Sequence, residues 1–219
     1  MRATIARFNI AQIQRRLGRS KEAAAEFKRL YFSEGSFAEA SKSELQALID
    51  QGKAAPPTFS EEMEHLDRWL TLRLAPQVEE RLSALQSQAT SPEEQRAWFW
   101  RLAKLRYQQR QSEDAQQALG ELDRLTPNDP TVERFRAQVL TSAGQYPEAV
   151  ATYAKLADSQ MGSALGKDSL FKAGFLASHS GDFSAALGYF KRFIGSYPSD
   201  KSIDDAYWYV AWVTYRSGD

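Results

Sequence analysis

The chain has 219 residues, 28 of them basic and 28 acidic, and no cysteine, a length that buries a sizeable core without metals or disulfides. Its balanced charge removes the electrostatic footprint of a nucleic-acid or anionic-membrane binder, and the missing cysteines exclude disulfides and thiolate metal sites. The apolar runs are short and broken by charge, well below the roughly 20 residues that span a bilayer, so no membrane span is expected.

At the N-terminus, Met1 to Ile13 is amphipathic and carries Arg2 and Arg7. It lacks the apolar stretch and cleavage site of a secretory signal, which implies a cytosolic protein or one whose leader has been removed. Beyond it, glycine and proline punctuate stretches rich in Ala, Leu, Glu, Gln, Arg and Lys, all strong helix formers. The phrase Gly18-Arg19-Ser20-Lys21-Glu22-Ala23 returns as Gly144-Gln145-Tyr146-Pro147-Glu148-Ala149 and Gly181-Asp182-Phe183-Ser184-Ala185-Ala186, with a variant ending at Ala115. Ala115, Ala149 and Ala186 are spaced by 34 and 37 residues, close to the helical-hairpin period of about 34 residues. Twelve residues before each closing alanine stands a small residue, Ala11, Ala103, Ala137 or Gly174, where two helices of a hairpin would cross closely. Four and seven residues after it stand large ones, Phe27 and Leu30, Leu119 and Leu122, Tyr153 and Leu156, Phe190 and Phe193, which share a helical face.

Between the first two clear hairpins, Phe37 to Gln51 reads as an amphipathic helix, and Gly52 to Pro57 as a connector because two prolines cannot lie in a helix interior. Ser60 with Glu61 and Glu62 reads as a capped helix start. A second helix follows through Val78, Leu82 and Leu85, with Val78 in the alanine slot. Ser91-Pro92-Glu93-Glu94 opens the next helix by a serine cap and a proline start. Pro127 and Pro198 stop the second helices of two hairpins. At the C-terminal end, Tyr207, Val210, Ala211 and Thr214 fall 37 residues after Leu170, Ala173, Gly174 and Ala177, and Gly218-Asp219 repeats Gly181-Asp182. The expected architecture is all-α: a right-handed α-solenoid of helical hairpins over 1–219 as a single superhelical domain. The hairpins lie at about 1–35, a degenerate stretch at 37–90, then 93–127, 129–160 and 165–198, with an unpaired first helix at 201–217. An unpaired apolar helix face at the end of a stack is an aggregation risk, so the segment is expected to come from a longer protein.

Residues able to do chemistry are sparse. His65 and His179 have no second histidine or cysteine at metal-ligand spacing, and a structural or helix-capping role is expected of both. The acidic pairs Glu61-Glu62, Glu79-Glu80, Glu93-Glu94 and Asp204-Asp205 are helix neighbours that do not face each other, and three of them suit the positive end of a helix dipole. Trp98, Phe99, Trp100 and Tyr107 form the densest aromatic patch. Phe99 and Leu102 are expected in the core, with Trp98 and Trp100 flanking it, either packed on neighbouring hairpins or lining a recognition groove. Trp98, Trp100, Trp208 and Trp212 are the candidate groove or partner contacts. No phosphate loop, nucleophile elbow or zinc-helix motif occurs, so no catalytic, metal-binding or cofactor-binding residue is assigned.

The repeat residues above resemble the tetratricopeptide superfamily over most of the chain. More narrowly, Asp204-Asp205-Ala206-Tyr207-Trp208 leading to Tyr215-Arg216-Ser217-Gly218-Asp219, the run Phe190-Lys191-Arg192-Phe193 before Tyr197-Pro198, and the Pro56-Pro57 connector are similar to the superhelical N-terminal domains of bacterial soluble lytic transglycosylases. That resemblance implies a periplasmic parent that cleaves peptidoglycan glycan strands through a lysozyme-like domain further along. The Glu-Ser pair and Gly-Leu-Met-Gln-like motif of that domain are absent here. This segment would then be a non-catalytic module that guides glycan or docks the C-terminal remainder of the same protein. The repeats alone imply instead a tetratricopeptide adaptor holding a peptide or protein partner in its concave groove.

Overall fold

The computed structural model describes residues 2–33 and 35–218. Met1, where the amphipathic N-terminal stretch begins, and Asp219, which closes the repeated Gly-Asp pair, lie outside the described residues. The described residues form twelve α-helices and one short 3₁₀ turn, with no strand, as the helix-forming composition dictates. The chain divides into two compact units, Met1–Thr71 and Leu72–Asp219.

The first unit holds α1 (Arg2–Arg16), α2 (Ser20–Tyr31), α3 (Ala38–Asp50) and α4 (Phe59–Thr71). Ala11 on α1 and Ala23 on α2 are both fully buried, and Phe27, Leu45 and Leu48 complete the core around them. Phe8 meets the edge of Phe27 at 5.8 Å, and Arg15 pairs with Glu44 between α1 and α3. The connector at 52–57 is non-helical, as its prolines require. The start of α4 differs from expectation, for Thr58 is the cap rather than Ser60. The Glu61 backbone N–H donates to Thr58 Oγ1 at 3.3 Å, and the Thr58 N–H donates back to Glu61 Oε2 at 2.8 Å. This reciprocal box satisfies two helix-end donors, and only the residue preceding the helical backbone can make it. Ser60 already lies inside α4.

In the second unit, α5 (Ala75–Leu85), α6 (Pro92–Gln108), α7 (Ser112–Leu125), α8 (Pro130–Ser142), α9 (Tyr146–Ser159), α10 (Ala164–His179), α11 (Phe183–Ser196) and α12 (Ile203–Ser217) pack in chain order. Ser91 and Glu94 form the predicted capping box at α6. Val78, Ala115, Ala149 and Ala186 are all fully buried, and the large residues four and seven positions on are each 3% exposed or less. Ala103 and Ala137 are fully buried as their small partners. Gly174 is tighter still, because a Cβ there would lie 3.0 Å from the Phe190 ring. The periodicity therefore describes a packing code: small residues where helices cross closely, with large residues filling the space at or beside the crossing.

The turn inside each hairpin is equally regular. Five residues before each slot residue the backbone enters the left-handed region, at Gly144 (φ 75°) and Gly181 (φ 86°), but also at Arg73 (φ 59°) and Arg110 (φ 61°). The next N–H closes the helix end, from Gln111, Gln145 and Asp182 to the carbonyls of Arg106, Leu140 and Ala177, at 2.9, 3.0 and 2.9 Å. This is the Schellman arrangement, which glycine adopts without steric penalty. An arginine with its Cβ in this region is strained by about 1–2 kcal/mol, partly offset by its smaller loss of chain entropy on folding. Arg110→Gly is therefore expected to stabilise the protein by about 1 kcal/mol, visible in a thermal melt as a rise of about 2–4 °C; an unchanged or lower melting temperature would show that the Arg110 side chain holds the turn.

The face of α10 that receives α11 carries Leu170, Gly174 and Ala177, all buried. Its counterpart on α12 is open, with Tyr207 57% exposed and Ala211 exposed. The opposite side of α12 packs on α11 through Ala206 and Val213, which are fully buried or nearly so.

Candidate binding face

The four tryptophans singled out by sequence separate into two kinds. Trp98 is 8% exposed, and its indole N–H donates to the Leu82 carbonyl at 2.8 Å, pinning α6 to α5. It is an interior packing residue, while Phe99 and Leu102, expected in the core, are half-buried beside it. The reversal has a plain cause: α6 packs on α5 as well as on α7, so a second side of it is covered. Trp100, Trp208 and Trp212 lie instead at the surface of their helices.

Their register shows that they share one face. Relative to the small crossing residue of α6, α8, α10 and α12 (Ala103, Ala137, Gly174, Ala211), the positions three before are Trp100, Arg134, Phe171 and Trp208. Two before are Arg101, Phe135, Lys172 and Tyr209, and one after are Lys104, Gln138, Phe175 and Trp212. Offsets of this kind fall on one stripe of a helix, and each of these side chains is half-buried or exposed. The structure joins them in two groups, α6 with α8 and α10 with α12. The Trp100 and Phe135 rings lie 5.5 Å apart, with Lys104 Nζ 5.2 Å above Trp100. Phe171 and Phe175 each meet the Tyr209 ring edge-on at 5.9 Å. Trp208 and Trp212 stack 6.1 Å apart with their planes inclined by 12°, and the Arg216 guanidinium lies 5.6 Å over Trp212.

Beside Trp100 a cleft of 350 Å³ opens between α6, α7 and α8, floored by Leu122 and Val132 and edged by Glu93, Arg96 and Arg101. Beneath the middle of the face Tyr153 is buried, and burial, with the Asp168 carboxylate adding to it, pushes its phenol up to about 12. Lys172 lies 5.6 Å over the Tyr153 ring and pairs with Asp168 at 2.8 Å. Phe135, Phe171, Phe175, Tyr209 and the cations between them look like ordinary helix residues in the sequence; the signal that finds them is that their offsets from the crossing residue, three before, two before and one after, fall on one helical stripe.

The remaining candidate groups have structural places. His65 is fully buried among Tyr31, Phe32 and Trp69, with ring centroids at 5.4, 4.6 and 4.1 Å. His179 ends α10, stacked on Phe175 and edge-on to Tyr146. Glu61-Glu62, Glu93-Glu94 and Asp204-Asp205 all lie in first helical turns. The hydrogen bond and charge of Lys28 and the Thr58 N–H hold Glu61 below the usual carboxylate range. Glu79 is lowered in the same direction by Gln109 and Arg106, each 2.8 Å away. Each of these two carboxylates is a charged partner within its own unit. Among the described residues no group of three or more His, Asp or Glu side chains could hold a metal ion, and no helix is long and apolar enough to cross a membrane.

Tetratricopeptide repeat family models match residues 101–164 and 168–200. No curated protein sequence matches the chain. Among solved structures, the chain is similar to a thermophilic tetratricopeptide repeat protein of Thermus thermophilus, with 15% identity, a TM-score of 0.49 and coverage of 97% of this chain and 99% of that one. PilF of Pseudomonas aeruginosa gives 18% identity, a TM-score of 0.49 and coverage of 93% and 96%. A tetratricopeptide repeat protein of Parabacteroides merdae gives 15% identity, a TM-score of 0.48 and coverage of 96% and 84%. With the family matches lying on the same hairpins that carry the buried alanine code, the segments 101–164 and 168–200 are tetratricopeptide repeats.

Proposed function

We propose that this chain is a non-catalytic repeat scaffold that captures a segment of a protein partner on the shared face of α6, α8, α10 and α12. The observation that carries this reading is that Trp100, Phe135, Phe175, Trp208 and Trp212 all fall on the same side of their helices relative to the crossing residue, which leaves aromatic rings half-buried or exposed on that side of successive repeats. Stacked helical repeats offer extended surfaces of this kind, and rigid aromatic side chains supply contact area at low entropic cost. The test is a displayed random-peptide library selected against the wild-type chain and against a Trp100→Ala/Trp212→Ala variant. Peptides are expected to enrich on the wild type and lose about tenfold or more in affinity on the variant; equal enrichment on both would remove the face from consideration.

A second reading is favoured by the C-terminal run from Asp204 to Gly218, with its resemblance to lytic transglycosylase superhelical domains, and by the fact that exposed indole faces also suit sugar rings. In it, the chain is a periplasmic accessory module of a peptidoglycan-cleaving enzyme. The discriminating assay is release of soluble fragments from purified peptidoglycan by the longest reading frame that contains this segment, with the segment alone as control. Activity confined to the longer form supports the accessory role, and a longer form without activity or a lysozyme-like domain leaves the adaptor reading alone.

A further inference from the structure

The shared face is not merely aromatic. Between three residues before and five residues after the crossing residue, the stripe carries Arg101 and Lys104 on α6, Arg134 on α8, Lys172 on α10 and Arg216 on α12, and none of its residues is acidic. The acids on that side stand further towards the helix N-termini and border the stripe: Asp168 and Asp205 six residues before the crossing, and Glu93 at the edge of the cleft beside Trp100. Asp168 offsets part of the Lys172 charge through their 2.8 Å pair. Arg134 and Arg216 are exposed, and Arg216 keeps its guanidinium over the aromatic rings of Trp212 and Phe183 at 5.6 and 5.7 Å. In a chain whose acids and bases balance at 28 each, an acid-free aromatic and cationic stripe is a local departure that sets the sign of the potential where a ligand would lie.

We infer that the occupant of this face is an acidic, extended segment of a protein partner whose carboxylates alternate with aromatic or aliphatic side chains. The inference rests on the capture reading above and deepens it. Apolar side chains of the segment fit against Trp100, Phe135, Phe175 and Trp212, and its carboxylates meet the exposed Arg134 and Arg216. Arginine's planar fork matches a carboxylate bidentately. From α6 to α12 there are three hairpin-to-hairpin steps of about 10 Å each, so a segment of about nine or ten extended residues spans the stripe. A single-stranded nucleic acid also pairs negative charge with stackable rings, but its unbroken phosphate backbone would run against the Asp168 and Asp205 border, which disfavours it.

Fluorescence anisotropy with three labelled peptides of about ten residues tests this directly: one alternating Glu or Asp with Phe or Leu, one with Gln in place of the acids, and one with Lys. The acidic peptide is expected to bind about tenfold tighter than the neutral one, and to weaken as salt rises from about 50 to about 300 mM. Arg134→Glu and Arg216→Glu, both at exposed positions, are each expected to weaken it about fivefold or more. Lys191→Glu, exposed on α11 away from the stripe, is expected to leave it unchanged. If the neutral peptide binds as well as the acidic one, the charge inference is overturned while capture by the aromatic face stands. If no peptide binds, the capture reading falls with it. If a single-stranded oligonucleotide binds more tightly than the acidic peptide and responds to the same reversals, the occupant is a nucleic acid and the inference is wrong.

Discussion

Phe190→Ala is expected to lower the unfolding free energy by about 4 kcal/mol, the largest effect of any single side chain in the second unit. Phe190 is fully buried on α11 and touches both neighbouring helices. Its ring stacks on Tyr209 of α12 at 4.8 Å with planes inclined by 5°, and meets the edge of Phe171 of α10 at 5.5 Å. Truncation removes those contacts and leaves a cavity in three-helix packing that cannot close without moving two helices. Because stacked repeats contact only their neighbours, the damage is expected to be local. Hydrogen exchange should accelerate across α10, α11 and α12 while α6 to α9 keep most of their protection. A second variant tests the mechanism. Gly174→Ala alone drives a methyl against the Phe190 ring, but in the Phe190→Ala background that methyl enters the vacated space. The double variant is therefore expected to be more stable than the sum of the two single losses, a coupling measurable by chemical denaturation. Strict additivity would mean that Gly174 is small for some reason other than Phe190.

Gly166→Ala is expected to cost about 3 kcal/mol, although alanine is the better helix former by about 1 kcal/mol. Gly166 lies in the first turn of α10, and its N–H donates to the Ser163 cap at 3.0 Å. A Cβ there would fall inside the contact distance of the Gln160 carbonyl oxygen and 2.6 Å from its carbon. Both are backbone atoms, so no side chain can swing away. The turn joining α9 to α10 would have to shift, breaking the Ser163 Oγ to Gln160 carbonyl bond of 2.7 Å and the cap with it. Gly188→Ala provides the control. It is exposed in the middle of α11, and a Cβ added there would meet nothing within 4 Å, so the same exchange should stabilise by about 1 kcal/mol. Thermal melts of the two variants should move in opposite directions; a shift of both in the stabilising direction would show that the turn after α9 yields easily.

The two tight glycines differ in how far the chain alone reveals them. Gly174 is legible as a crossing residue because it recurs at the fixed distance before Ala186 that Ala103 and Ala137 keep before Ala115 and Ala149. Gly166 belongs to no repeat pattern, and its requirement arises only from the path of the neighbouring loop. The Ser91 cap was legible for a different reason, since Ser91, Pro92 and Glu94 stand in a local capping motif. The α4 cap was displaced by two residues because Thr58 and Ser60 are both competent caps, and only the backbone direction after Pro57 selects between them.

The candidate face divides along the same line. The sequence named Trp100, Trp208 and Trp212 as candidate contacts but left packing on a neighbouring hairpin open for Trp100; the packed helices leave Trp100 and Trp212 half-buried and Trp208 exposed. Trp98, in contrast, could not be separated from Trp100 by spacing, since two residues apart on a helix means nearly opposite sides, and which side is covered depends on a neighbouring helix. The all-helical architecture and the crossing residues follow from the order of amino acids, because helix propensity, turn glycines and periodic burial act within a few tens of residues. Which helix sides remain open, that Trp98 is bonded to Leu82, and that rings and cations from four separate helices form one stripe emerge only when the helices are packed. Those properties depend on contacts between residues far apart in the chain, which no local pattern encodes.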